Sequence, residues 1–137
     1  MNIADYPTWL LAIELWREAR GETPAAMIGV AWVNKNRVAH PGWWGTTLIQ
    51  VITHKWQFSG MTAPGNVNLV KWPQDNDSAF PNCLFAASQV VAGSIPDPTD
   101  GAVDYYSAPL TAPPTEWGPV RETVVIDNLH FCVSVKK

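Results

Sequence analysis

Seven residues carry most of the reactive chemistry in this chain: Trp16-Arg17-Glu18-Ala19-Arg20-Gly21-Glu22. Two carboxylates and two guanidiniums are packed there, in a sequence of which only 15% is charged. A carboxyl group does acid/base work when an apolar, partly dry setting favours its neutral form and lifts its pKa into a useful range. Glu18 suits that role, because the helix around it is mostly apolar, with Trp9, Ile13 and Trp16 on one face. Such a group can protonate a glycosidic oxygen, after which a second group must stabilise or trap the oxocarbenium-like centre. Glu22 is the nearest second carboxylate, but Gly21 interrupts the helix between them, so spacing does not give their separation. Both residues also have plainer readings. Glu22 sits near the positive end of the next helix, where a carboxylate is stabilised, and Glu18 could be a surface glutamate paired with a neighbouring arginine.

The elements that must position these groups follow from periodicity and caps. A first helix is predicted over residues 9–20, with Thr8 as N-cap and Gly21 in the left-handed position after its end. Thr23 caps a second helix with Pro24 at its first position, and the stripe Met27, Val30, Ala31, Asn34 carries it to about Val38. Only Gly21-Glu22-Thr23 links the two, so they form a tight corner at Glu18 and Glu22. A turn, His40-Pro41-Gly42-Trp43-Trp44-Gly45, precedes a short helix over 47–53. After Trp56-Gln57-Phe58-Ser59-Gly60 a long polar loop runs to Ser78, and a loop of that length is often functional. A last helix is predicted over 80–92, ending at Gly93. Residues 102–107 read as a strand, and 108–119 are too rich in proline for a helix or a central strand. Residues 123–126 and 130–133 read as a hairpin around Asp127-Asn128-Leu129. The fold class is therefore α+β: a mostly helical single domain over residues 1–137, with a small antiparallel β-sheet in the C-terminal third.

Bulk properties narrow the partners. The chain has 137 residues, 47% hydrophobic, and a net charge of −3, so no nucleic-acid footprint is expected. The start, Met1-Asn2-Ile3-Ala4-Asp5-Tyr6-Pro7, has neither a basic region nor a long apolar run, so no signal peptide and no membrane insertion are expected. Cys83 and Cys132 read as two buried thiols. His40, His54 and His130 are scattered, without zinc-ligand spacing, so neither a metal nor another cofactor is expected. Gly-x-Ser-x-Gly is absent, and Cys132 with His130 makes a poor nucleophile pair, two residues apart in one small strand.

Eight tryptophans are an unusual complement. Their default place is the core, but their faces also stack on sugar rings. Trp56-Gln57-Phe58-Ser59 joins aromatics to an amide and a hydroxyl, which is the chemistry a carbohydrate subsite needs. Tyr105 and Tyr106 alternate on a strand, one toward the core and the other toward a cleft.

At these residues the chain resembles the cell-wall hydrolase family of the SleB spore-cortex lytic enzymes and related phage lysins. The matching elements are Glu18-Ala19-Arg20-Gly21-Glu22 and Val30-Ala31-Trp32-Val33-Asn34-Lys35-Asn36-Arg37-Val38. They continue in Val51-Ile52, Trp56-Gln57-Phe58-Ser59, Gly101-Ala102, Tyr105-Tyr106-Ser107 and Ile126-Asp127-Asn128-Leu129-His130-Phe131. The resemblance implies a lysozyme- or transglycosylase-like fold and cleavage between N-acetylmuramic acid and N-acetylglucosamine in peptidoglycan. It implies lytic transglycosylase chemistry, in which Glu18 is general acid and then base and the muramic C6 hydroxyl attacks to give a 1,6-anhydro end. Gln57, Phe58, Ser59, Tyr105, Tyr106 and Trp117 would bind the glycan. The histidine that usually follows Ile-Gly-Asn is displaced here to His130. The implied setting is a monomeric phage endolysin that reaches the wall from the host cytoplasm through a holin, or a virion-borne enzyme. Two other readings remain: a hydrolytic muramidase with Glu22 or Asp104 as second carboxylate, and a non-catalytic glycan-binding virion module.

Overall fold

The computed structural model describes residues 5–40, 43–54 and 57–134, with the backbone alone for Ser59 and Gly60. Trp56, the Pro41-Gly42 part of the predicted turn, the first four residues and the terminal lysines lie outside the described residues. Helix α1 (Tyr6–Ala19) starts earlier than its apolar period predicts. Pro7 lies in its first turn, where a fixed φ is already helical and no N–H is needed. The N-cap position is therefore Asp5 rather than Thr8, and it makes no side-chain cap bond. The other end also differs from expectation. Arg20 is right-handed, with φ −63°, and Gly21 is not among the glycines of positive φ. The Glu22 amide closes the corner instead, donating to the Ala19 carbonyl at 2.9 Å.

Helix α2 (Pro24–Ala39) begins as its sequence dictates, with Thr23 Oγ1 accepting from the Ala26 amide. The same hydroxyl bonds the Asp127 carboxylate, which ties the corner to the sheet. Helix α3 (Leu48–Ile52) is capped by Thr47. The segment that reads as a long polar loop contains a single turn, α4 (Ser59–Thr62), and a 3-10 turn over Val67–Val70. Both are closed by local bonds, to the Phe58 carbonyl and the Asn66 side chain, and such bonds leave no apolar period to read. Helix α5 (Phe80–Ala92) ends on left-handed Gly93 (φ 73°), as glycine there allows.

The sheet is antiparallel in the order β1-β3-β2, from β1 (Asp104–Tyr106), β2 (Val120–Ile126) and β3 (Leu129–Ser134). Tyr105 pairs with Phe131 and Tyr106 with His130. The expected strand over 102–107 thus shrinks to three residues. Asp127, at φ 54°, makes the hairpin turn, a conformation aspartate tolerates better than most residues. Gly29 permits a close approach of sheet and helix: a Cβ there would lie 2.6 Å from the Phe131 ring. Phe131 packs through that gap into a core of Leu11, Leu15, Val30, Val33 and Val90.

The class is α+β, helices with a small antiparallel sheet in the C-terminal part. Cys83 and Cys132 are free and buried, and burial pushes both thiols up to about 11. Among the described residues no helix is long and apolar enough to cross a membrane.

Candidate active-site cleft

Glu18 projects from the last turn of α1, half-buried, into a cleft of about 580 Å³. That volume is in the range of small-ligand sites. Gln57, Phe58, Asp104, Tyr105 and Trp117 line the same cleft, so the fold gathers six of the residues singled out in the sequence. Glu22 and Tyr106 are not among the lining residues, and the side chain of Ser59 is not described. Tyr106 stacks on the His130 ring, 4.6 Å between centroids, and His130 Nδ1 is 2.6 Å from Glu122 Oε1. Strand alternation explains the split between the two tyrosines: Tyr105 lies against Phe131 at 5.9 Å, and Tyr106 takes the other face.

Four further lining residues come from places that pattern reading did not mark as cleft: Arg37, Trp43, Trp44 and Glu116. Arg37 is the structural centre of the site. Its Nε donates to the Val103 carbonyl at 2.6 Å and its Nη2 to Asp104 Oδ1 at 2.9 Å. The guanidinium lies between the rings of Trp44 and Phe58, at 5.0 and 4.9 Å from their centroids. Burial lowers its pKa, and Asp104 and Glu14 work against that drop. A buried charge is tolerated only when paired and hydrogen-bonded in this way. Asp104 is thereby committed to an ion pair with side chains 4% and 10% exposed.

Phe58 is mostly core, packed with Trp44, Val51 and Val103. Gln57 Oε1 accepts from the Trp44 indole at 3.2 Å, which fixes that ring in the wall. The Tyr105 phenol is pushed well up, first by burial and then by the charges of Glu18 and Glu14. It is therefore a neutral hydroxyl at ordinary pH.

The two arginines beside Glu18 serve the outside of α1. Arg17 donates to the carbonyls of Lys71 and Leu69 and lies over the Trp72 ring at 4.6 Å. Arg20 donates to the Trp16 carbonyl and lies over the Trp16 ring at 4.3 Å. One turn before Glu18, the sequence reading missed a second acid, Glu14, which is buried and bonded to Asn34. The signal that could have found it is Asn34 itself, a polar residue inside the apolar stripe of α2.

The cleft thus surrounds a half-buried carboxyl at a helix end with aromatic and hydrogen-bonding groups. Residues 21–132 match the Cell Wall Hydrolase family, and the chain belongs to that family. It is accordingly an enzyme acting on peptidoglycan. The match opens at Gly21, three residues beyond Glu18, so the role of Glu18 is argued from its surroundings. The chain matches no curated protein and no solved structure.

Proposed function

We propose that the protein is a lytic transglycosylase that cleaves the β-1,4 bond between N-acetylmuramic acid and N-acetylglucosamine, with Glu18 as general acid and then general base. The observation that carries this reading is the position of Glu18, half-buried at the end of α1 in a cleft shared with Trp43, Trp44, Tyr105 and Trp117. Glu18 gives its proton to the leaving glycosidic oxygen. The same carboxylate then takes the proton of the muramoyl C6 hydroxyl as that oxygen closes onto C1, which leaves a 1,6-anhydro end. One acid completes the cycle. This fits a site in which Asp104 is held by Arg37 and Glu22 lies off the cleft. Trp43 and Trp117, the more exposed rings, bind sugar faces, and Gln57 fixes the buried Trp44 ring in the wall.

The wider setting is part of the same reading: a single catalytic domain over 1–137, acting as a monomer in a phage endolysin or a virion-borne enzyme. The resemblance to phage lysins supports it.

A hydrolytic muramidase is the second reading, favoured by Glu116, a further carboxylate lining the cleft. Mass spectrometry of the released muropeptides separates the two: anhydro ends support the transglycosylase, and reducing ends support hydrolysis. Glu18→Gln is expected to cut turbidity loss on purified cell walls by about 10³-fold or more, since a general acid alone supplies about 10²–10⁴. Its melting curve should stay near that of the parent. Undiminished lysis by this variant would falsify the assignment. Binding to sacculi without release of any soluble sugar by the parent chain would leave a glycan-binding module instead.

A further inference from the structure

The catalytic cycle above makes no use of the carboxyl one helical turn before Glu18. Glu14 has no exposed surface. Its Oε1 accepts from Asn34 Nδ2 at 2.7 Å, and Asn34 is locked in turn by donating to the Val30 carbonyl. Among the described residues the other oxygen, Oε2, has no hydrogen-bond partner, and neither does Arg37 Nη1. An ionised carboxylate buried with one donor costs several kcal/mol, whereas an uncharged acid costs far less. Burial, and after it the charge of Glu18, push Glu14 well above the usual carboxylate range, against the Asn34 bond and Arg37. The groups facing Glu14 are Glu18 on its own helix, Asn34 and Arg37 from α2, and Tyr105 from β1. Side chains four residues apart on a helix are neighbours, with Cβ atoms about 5–6 Å apart.

We propose that Glu14 is a positioning residue for Glu18: an uncharged acid, fixed by Asn34 through Oε1, whose Oε2 proton is offered as a hydrogen bond to the negative charge Glu18 acquires in turnover. The proposal rests on Glu18 being the acid. No proton leaves Glu14 in the cycle. Glu18 loses one to the glycosidic oxygen and regains one from the attacking hydroxyl, while the Glu14 hydrogen bond forms as Glu18 becomes charged and is released as Glu18 is reprotonated. An O–H donor to a carboxylate is among the stronger hydrogen bonds, more so away from water. A neutral donor also spares Glu18 the repulsion that a second carboxylate would impose.

The test uses the full chain and compares Glu14→Met, which fills the space without a donor, with Glu14→Gln, which restores an N–H there. Glu14→Met should lower kcat about tenfold with little change in KM. It should also move the alkaline limb of the pH–rate profile up by about one unit, the equivalent of that factor of ten. Glu14→Gln should recover the rate to within about threefold and return the limb. An unmoved limb in the Met variant, or a Gln variant as slow as the Met one, overturns the proposal. Carboxyl-carbon NMR of the parent chain gives a reading independent of the Met variant's stability. The Glu14 resonance, assigned by its loss in Glu14→Gln, should stay that of a protonated acid at neutral pH, and an ionised Glu14 there overturns the proposal. Normal turnover by Glu18→Gln removes the acid assignment and this role together. An inactive Glu18→Gln beside an unmoved Met limb removes this role alone.

Discussion

The corner of α1 and α2 and the loop-borne part of the cleft are built on opposite principles. In the corner, Glu14 and Asn34 are buried with Leu11, Leu15, Val30 and Val33, Arg37 is buried at the far end of α2 against Trp44 and Phe58, and Glu18 stands at the edge. The loop-borne wall comes from turns and the proline-rich segment: Trp43 is 58% exposed, Glu116 is exposed and Trp117 half-buried. Rigid packed helices aim a reacting group more closely than loops do, and loops can present varied surfaces to a ligand. On the proposed reading the corner supplies the proton and the loops supply the grip. Damage to the first should therefore appear in turnover and stability, and damage to the second in substrate affinity.

After the loss of turnover expected of Glu18→Gln, the largest effect on this contrast is expected from Arg37. Arg37→Met takes from buried Asp104 the guanidinium it pairs with, and removing one member of a buried pair costs about 3–5 kcal/mol. Urea unfolding should show that drop; a midpoint within experimental error of the parent would mean that α2 and β1 are not held together by this ion pair.

The next effect is a dependence on pH. Glu14 keeps its proton in the folded chain and releases it in the unfolded one near the ordinary glutamate value of about 4.3. Stability should therefore fall as pH rises above that value, by up to about 1.4 kcal/mol per unit, until Glu14 ionises in the fold. Melting temperatures of parent and Glu14→Gln between pH 4 and 8 check this, because the substitution removes that slope. On the acid side the sign reverses. Burial would raise Asp97, but bonds from the Thr99 hydroxyl, the Asn36 amide and the Thr99 and Gly101 backbone outweigh it and hold it low. That contribution is present above the ordinary aspartate value and is lost as pH falls through the lowered one.

The smallest effect belongs to the loop wall. Trp43→Ala should weaken binding to purified sacculi about three- to tenfold, the range of one aromatic stacking contact, with the melting temperature held. A large fall in melting temperature would show that this wall is as structural as the corner.

What could be read in the chain followed the reach of its interactions. Thr23-Pro24 and Gly93 announce their helix ends through bonds to near neighbours, and both were legible. Glu18 stood out because charge is scarce and dense only there. Glu14 did not, since a lone carboxyl inside an apolar helix shows its meaning only once Asn34 is brought across from α2. Trp44, Asp104 and Glu116 join the cleft from three distant segments, and no local spacing links them. Gly21 misled for a physical reason: glycine permits the left-handed turn without requiring it, and the corner closes through the Glu22 amide instead. Which of the two tyrosines faces the cleft depended on strand register, which the alternation alone leaves open.

The outer face of α1 has a practical consequence. Arg17 grips the backbone at Leu69 and Lys71, the Trp16 indole bonds Asp77, and Trp9 stacks on Trp72 at 6.2 Å. The segment around residues 69–77 is thus strapped along the back of the helix whose front bears Glu18, like a splint. An engineer exchanging that segment for one from a related protein would have to move α1 with it as a single cassette.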